Sequence, residues 1–171
     1  MPRPRSQLLV HQLKGNGLTT VLDTDDYSCW EAAVSTSLGH HRSELLSRQG
    51  AFKACLRVAQ IGACQILHIQ GRGRLRLNRE QGQRRVLWLP LRGISQERIN
   101  GCDVLAEPGT ALLFHPGDAM EGETSEKLEG LSILLPDRLP ELPQLNAPVE
   151  QVRRLSQGPR QQRILRSARH L

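Results

Sequence analysis

The sequence predicts a mainly β domain, a barrel or sandwich of short antiparallel strands with one helix before it and helical pieces after it. Three observations point there. Between Leu45 and Leu135 apolar residues recur at every second position, the period of a strand that buries one face. Glycine and proline turns interrupt that alternation at regular intervals, as they do in all-β domains. Ahead of it, Trp30, Val34 and Leu38 are spaced by four, the period of a helix with one buried stripe.

Taken in order, residues 1–20 contain Pro2, Pro4 and Gly15-Asn16-Gly17 and read as a lead-in segment. TDDYSCWEAAVSTSL then predicts a helix. Thr24 or Asp23 is its expected cap, Asp25 and Asp26 suit the positive end of its dipole, and Gly39 ends it. His40 and His41 follow, where a helix C-terminus favours them. Phe52, Ala54, Leu56 and Val58 alternate with Lys53, Cys55, Arg57 and Ala59 as a half-buried strand, and CQILHI is a second. In RLRLN, Leu75 and Leu77 face inward and Arg74 and Arg76 outward, and Glu80-Gln81-Gly82-Gln83 is read as a hairpin loop. VLWLPL is apolar on both faces, so it is expected to lie beneath another layer, although Pro90 interrupts its ladder. Residues 94–99 alternate up to Asn100-Gly101, a strong two-residue hairpin signal. CDVLA, TALLF and LEGLSILL complete a series of roughly eight or nine strands.

The character changes after Leu135. PDRLPELPQLNAP holds four prolines and reads as a linker. Two helical pieces follow, broken at Gly158-Pro159. Ile164, Ala168 and Leu171 form a narrow apolar stripe, and Val149, Val152 and Leu155 join them as candidate dimerisation positions. The expected organisation is a lead-in at 1–20, a folded unit at 21–138, and a linker with C-terminal helices at 139–171.

Composition narrows the function. The 171 residues carry a net charge of +6 and only 3% aromatic residues, too few rings for a reader that stacks nucleic-acid bases. Cys29, Cys55, Cys64 and Cys102 are widely spaced, a pattern of separate thiols rather than of a disulfide framework or a zinc site. MPRPRSQLLVHQLK lacks the apolar core of a secretory signal, and no apolar run approaches the roughly 20 residues that span a bilayer. The expected compartment is the cytoplasm, with no membrane partner.

The stretch EPGTALLFHPGDAMEGE (residues 107–123) raises the question of a metal. A metal-binding barrel of the cupin type needs about three histidines and a glutamate converging on its interior. The stretch RLRLNREQGQRRVLWLPLRG that ends at Gly93 has no histidine, and His115 precedes its turn rather than following it. The expectation is therefore no metal and no cofactor. No G-x-S-x-G or other nucleophile–base pattern occurs, which points away from an enzyme. His68 alternates with Cys64 and Ile66 on one strand face, and Trp88 lies in the doubly apolar strand; both suit a packed interior and are also candidates to line a ligand site, with His115 a third. Arg72, Arg74, Arg76, Arg79, Arg84 and Arg85 cluster around one predicted hairpin, where a solvated strand face explains them most simply.

The order of elements resembles the N-terminal sensing domain of AraC/XylS-type transcription regulators. Asp25 and Trp30 match its opening Asp-x-x-x-x-Trp, Leu89-Pro90-Leu91 with Gly93 its strand end, and Pro108-Gly109 with Leu112 and Leu113 its turn and strand. The resemblance covers about residues 20–138 and implies a cupin-like jelly roll. It also implies a small-molecule effector held in the barrel, with His68, Trp88 and His115 as candidate contacts, and a homodimer formed through residues 149–171. DNA would be bound only through a C-terminal domain beyond Leu171. A cupin-type enzyme with an atypical metal site and a stand-alone small-molecule-binding protein are the alternatives.

Overall fold

The computed structural model describes residues 17–48 and 50–137. The linker, the C-terminal helices and the six candidate dimerisation positions lie outside the described residues. Within them the chain forms β1 (Thr19–Thr24), α1 (Tyr27–Leu38), β2 (His41–Leu45), β3 (Lys53–Ile61), β4 (Cys64–Arg72) and β5 (Leu75–Glu80). Then come β6 (Val86–Arg92), β7 (Ser95–Ile99), β8 (Cys102–Ala106), β9 (Leu112–Phe114), β10 (Ala119–Thr124) and β11 (Lys127–Leu134). Every recorded strand pairing is antiparallel. The strands make a six-stranded sheet, in the order β1-β3-β4-β11-β6-β9, and a five-stranded sheet, in the order β2-β5-β10-β7-β8.

The two sheets face each other across one core. Leu56, Leu67, Trp88, Leu112 and Phe114 from the larger sheet pack with Leu75, Ile99, Ala106 and Met120 from the smaller. The alternation read from the sequence sets this arrangement, because each strand turns every second side chain inward. The larger sheet is apolar on its other face as well, where Ala59, Ile66, Leu89 and Leu131 pack with Leu87 and Ile133. That explains the continuous apolar run of β6. Pro90 is accommodated because β9 pairs only with Val86–Trp88 and the register with β11 shifts between Glu129 and Gly130.

Helix α1 closes one end of the sandwich. Trp30, Val34 and Leu38 are buried against the core, as their spacing requires. The cap is Asp26, not Thr24 or Asp23: its carboxylate accepts from the Ser28 and Cys29 amides, which hold its pKa below the ordinary value. Thr24 supports the cap from one step earlier, its hydroxyl accepting from the Asp26 amide. Gly39 ends the helix, its amide donating to the Ser35 carbonyl.

Several connections differ from the sequence reading. Glu80-Gln81-Gly82-Gln83 is not a hairpin loop; β5 and β6 belong to different sheets, and the loop crosses between them. β1 begins inside the segment read as a lead-in and pairs with β3. His41 opens strand β2 instead of capping α1. β10 went unrecognised because AMEGET carries two glutamates and a glycine, yet it lies between β5 and β7. Ile94 is exposed, whereas Ile99 is buried. Asn100-Gly101 does form the β7–β8 hairpin, with both residues at positive φ.

Gly130 and Gly93 are among the glycines fixed by close approach. At Gly130 a Cβ would overlap the Trp88 indole, which lies flat over the strand. At Gly93 the backbone has φ +78°, and a Cβ would run into the Lys127 carbonyl. Substitution there combines strain with a backbone clash. Gly93→Ala is expected to destabilise the domain by on the order of 2–4 kcal/mol, read as a lower urea midpoint with an unchanged slope.

Candidate functional site

Period-two alternation also carries polar groups inward. Arg79 has the same parity as Leu75 and Leu77, so β5 turns it to the interior, where it is 8% exposed. Glu97 has the parity of Ser95 and Ile99 and is 6% exposed on β7. His41 pairs across β2–β5 with Arg79 and is 7% exposed. With the helix residue Trp30 they border a half-open cavity of about 70 Å³. Val34 and Leu38 of α1, Leu75 and Leu77 of β5, and Ile69 and Trp88 of the larger sheet provide its apolar wall.

What distinguishes this cavity is unmet hydrogen-bonding capacity. Trp30 Nε1, both ring nitrogens of His41, Arg79 Nε and Glu97 Oε2 are buried with no hydrogen-bond partner among the described residues. Most buried polar atoms in folded proteins do have one, and leaving each unmade costs about 1–3 kcal/mol. The other atoms of these side chains are held in place. The Ser95 hydroxyl donates to Glu97 Oε1 at 2.6 Å, an Arg79 Nη2–H donates to Gln81 Oε1 at 3.2 Å, and the guanidinium sits 5.0 Å from the Phe114 ring centroid. Glu97 and Arg79 are thus each held through one part of the side chain and left with an open valence on another.

The electrostatics follow from burial. Desolvation raises the Glu97 pKa, with the Ser95 hydrogen bond and the Arg79 charge opposing it. Desolvation likewise lowers that of Arg79, against the pull of Glu97. The two attract each other without an ion pair between them. His41 is pushed down to about 4, first by desolvation and then by the Arg79 charge, so its ring is neutral at pH 7. A cupin metal does not suit this donor set. The interior offers one imidazole and one carboxylate with a guanidinium on the strand next to the imidazole, and a guanidinium repels a cation. Among the described residues no three His, Cys, Asp or Glu side chains are grouped to hold a metal ion.

Of the three candidates named from sequence, Trp88 borders the cavity and the two histidines do not. His68 shares the parity of Ile66 and stands on the opposite face of the larger sheet. There its Nε2 lies 2.9 Å from Glu129 Oε1 and its Nδ1 3.2 Å from an Arg57 nitrogen. His115 lies in the β9–β10 turn, where its amide donates to Asp118 Oδ2 at 2.7 Å. Asp118 also accepts from Asn100 Nδ2, so EPGTALLFHPGDAMEGE is a strand, its turns and the strand that follows. The arginine cluster divides as well. Arg74 and Arg76 pair with Glu123, and Arg76 also with Glu44, on the outer face of the smaller sheet. Arg84 donates to the Leu134 and Leu135 carbonyls. A wider hollow of about 830 Å³ lies on that outer face, but apart from the buried Glu97 its charged side chains already pair with one another, Arg98 with Asp103 and Glu121 among them. The sequence signal that finds Arg79 and Glu97 is parity, counted from Leu75 and back from Ile99.

Two outcomes follow for the buried charges. The unfolded chain takes up a proton on His41 below pH 6.5, and the folded chain only near 4. Stability contributed by His41 is therefore lost as pH falls between those values. His41→Leu should remove on the order of 2–3 kcal/mol from the acid-side slope, measured as urea midpoints at pH 7 and pH 4.5. Glu97 has the opposite sign, since its raised pKa makes the ionised form a burden above the usual carboxylate range. Glu97→Gln should stabilise the domain by on the order of 1–3 kcal/mol at neutral pH and by little at pH 4, as read by thermal melts.

Comparison with known proteins agrees with this architecture. The AraC-like transcriptional activator CuxR superposes with a TM-score of 0.58 at 15% identity, over 69% of this chain and 47% of that one, so the chain spans about half the length of that activator. A cupin superfamily protein from Desulfitobacterium hafniense DCB-2 aligns at TM-score 0.40 and 17% identity, over 58% of this chain and 81% of that one. A cupin 2 conserved barrel domain protein from Rhodopseudomonas palustris gives 0.41 and 14%, over 62% and 80%. No curated protein matches the sequence. Residues 30–171 match the AraC-binding-like domain. That match covers most of the chain, which belongs to the AraC-binding-like domain family.

Proposed function

We propose that this chain is the effector-binding and dimerisation domain of an AraC-type transcription regulator, and that its effector occupies the cavity between α1 and the two sheets. One observation carries the reading: the five buried polar atoms without partners all belong to side chains that line one small, largely apolar space. A stable domain with no ligand to bind would gain by filling that space with leucine. Trp88 serves as part of the wall and Arg79, Glu97, His41 and Trp30 as the polar contacts. His68, whose partners lie on the far face, has no part in the pocket, and neither does His115.

The domain does no chemistry in this reading. It has ligand contacts without a nucleophile–base pair, and it transmits occupancy as a change in conformation. A ligand shifts an equilibrium only by its difference in affinity for two states. Here the two states differ in how α1 closes the cavity, because α1 lies between β1 of one sheet and β2 of the other. Residues 149–171, with Val149, Val152, Leu155, Ile164, Ala168 and Leu171, pair two copies. DNA is contacted by a C-terminal domain outside these 171 residues. No described helix is long and apolar enough to cross a membrane, in keeping with a cytoplasmic regulator.

Three measurements test the reading. Native and denaturing mass spectrometry of the purified chain should find a small molecule that leaves on unfolding. Val34→Phe, which fills the cavity from α1, should keep the β-rich circular dichroism spectrum and abolish that molecule. In sedimentation velocity the whole chain should run as a dimer, and a chain ended after Asp137 as a monomer. A monomeric whole chain would refute the dimerisation assignment.

A further inference from the structure

Resting on the pocket proposed above, we infer that its ligand is a small 2-hydroxy or 2-amino carboxylic acid, held by its carboxylate at Arg79 and by its hydroxyl or ammonium at Glu97. The open valences define the complement. Arg79 Nε and Trp30 Nε1 are donors and Glu97 Oε2 is an acceptor, while the two nitrogens of a neutral His41 supply one of each. A ligand with only acceptors would leave Glu97 unmet, and a ligand with only donors would leave Arg79 and Trp30 unmet. A carboxylate is a group that a buried guanidinium binds strongly. An adjacent hydroxyl or ammonium supplies the donor that Glu97 needs. The arrangement across the smaller sheet matches this polarity, since β10 separates the Arg79 strand from the Glu97 strand.

Size sets the second limit. One water needs about 10–15 Å³ of such space, so the 70 Å³ cavity holds on the order of five or six non-hydrogen atoms. Glycolate, lactate, glycine and alanine are of this size; sugars and aromatic acids exceed it. The wall beside the polar groups is aliphatic, from Val34, Leu75, Leu77 and Ile69, and suits a short alkyl substituent rather than a second charge. A dicarboxylate would set its second anion against Glu97.

The test is a panel on the whole chain, read by thermal shift and titration calorimetry. Glycolate, lactate, glycine and alanine are compared with propionate, which lacks the donor, and propane-1,2-diol, which lacks the carboxylate. At least one of the four acids should raise the melting temperature and bind at least about tenfold more tightly than either control. Arg79→Gln should weaken that acid by a similar factor. Trp30→Phe, which keeps the packing and removes one donor, should weaken it less. Glu97→Gln separates the two sub-classes: a hydroxy acid keeps its bond to the amide oxygen, whereas an amino acid loses the countercharge for its ammonium. Equal binding of propionate or the diol overturns the assignment of ligand class and leaves the pocket standing. Failure of all four acids up to millimolar concentration also overturns it. Only if mass spectrometry also finds no co-purified molecule does the pocket reading fall with it.

Discussion

The two halves of the larger sheet meet only across β11. β1, β3 and β4 form one part, β6 and β9 the other, and β11 lies between β4 and β6 with paired residues along its whole length on the β4 side. It is also the last described strand, so the two halves cannot be joined until the chain from Lys127 to Leu134 is in place. Such long-range pairing closes large loops before contacts reward them, which slows folding relative to local hairpins. Its sequence suits the task. Leu131 and Ile133 face the outer cluster and Leu134 and Ser132 the interior, while Gly130 leaves room for Trp88. The strand binds two half-sheets and contributes to the cavity wall at once.

The interior therefore serves two conflicting demands. A sandwich of this size is held together by apolar burial, and its ring-poor composition leaves that mostly to Leu, Ile and Val. Yet the alternation that buries Leu75 and Ile99 also buries Arg79 and Glu97. Charged groups held apart in a low-dielectric space weaken the fold, and here each is oriented by a neighbour that satisfies only part of it. Stability is given up at one place, where α1 meets both sheets, and the remainder of the core is conventionally packed.

Much of this was legible in the sequence, and the remainder fails for identifiable reasons. α1, β3, β4, β6, the β7–β8 hairpin and β11 follow from periodicity and turn chemistry, since their apolar residues outnumber the competing signals. β1, β2 and β10 were not recognised. TTVLDT, HRSEL and AMEGET are short and polar, and they become strands because neighbours such as β3 and β5 offer them a ladder. Sheet membership was equally hidden: nothing in Gln81–Arg85 says that the chain crosses between layers there. The apolar surroundings of Trp88 in the sequence point it inward, and it borders the cavity. Arg79 stands in the sequence among solvent-facing arginines, so its residue type points outward while its position along the strand points inward. His68 misled for the converse reason, since the larger sheet is apolar on both faces and parity with Ile66 does not by itself mean inward.

One detail of the cavity has a spectroscopic consequence. The whole chain contains two tryptophans, and both Trp30 and Trp88 stand on its wall, one from the helix and one from the opposing sheet. Indole emission is sensitive to the polarity and hydrogen bonding of its immediate surroundings, and Trp30 Nε1 is one of the open donors. Excited at wavelengths that tyrosine does not absorb, this domain emits only from the lining of its own cavity. A molecule that entered the cavity would be reported without any label.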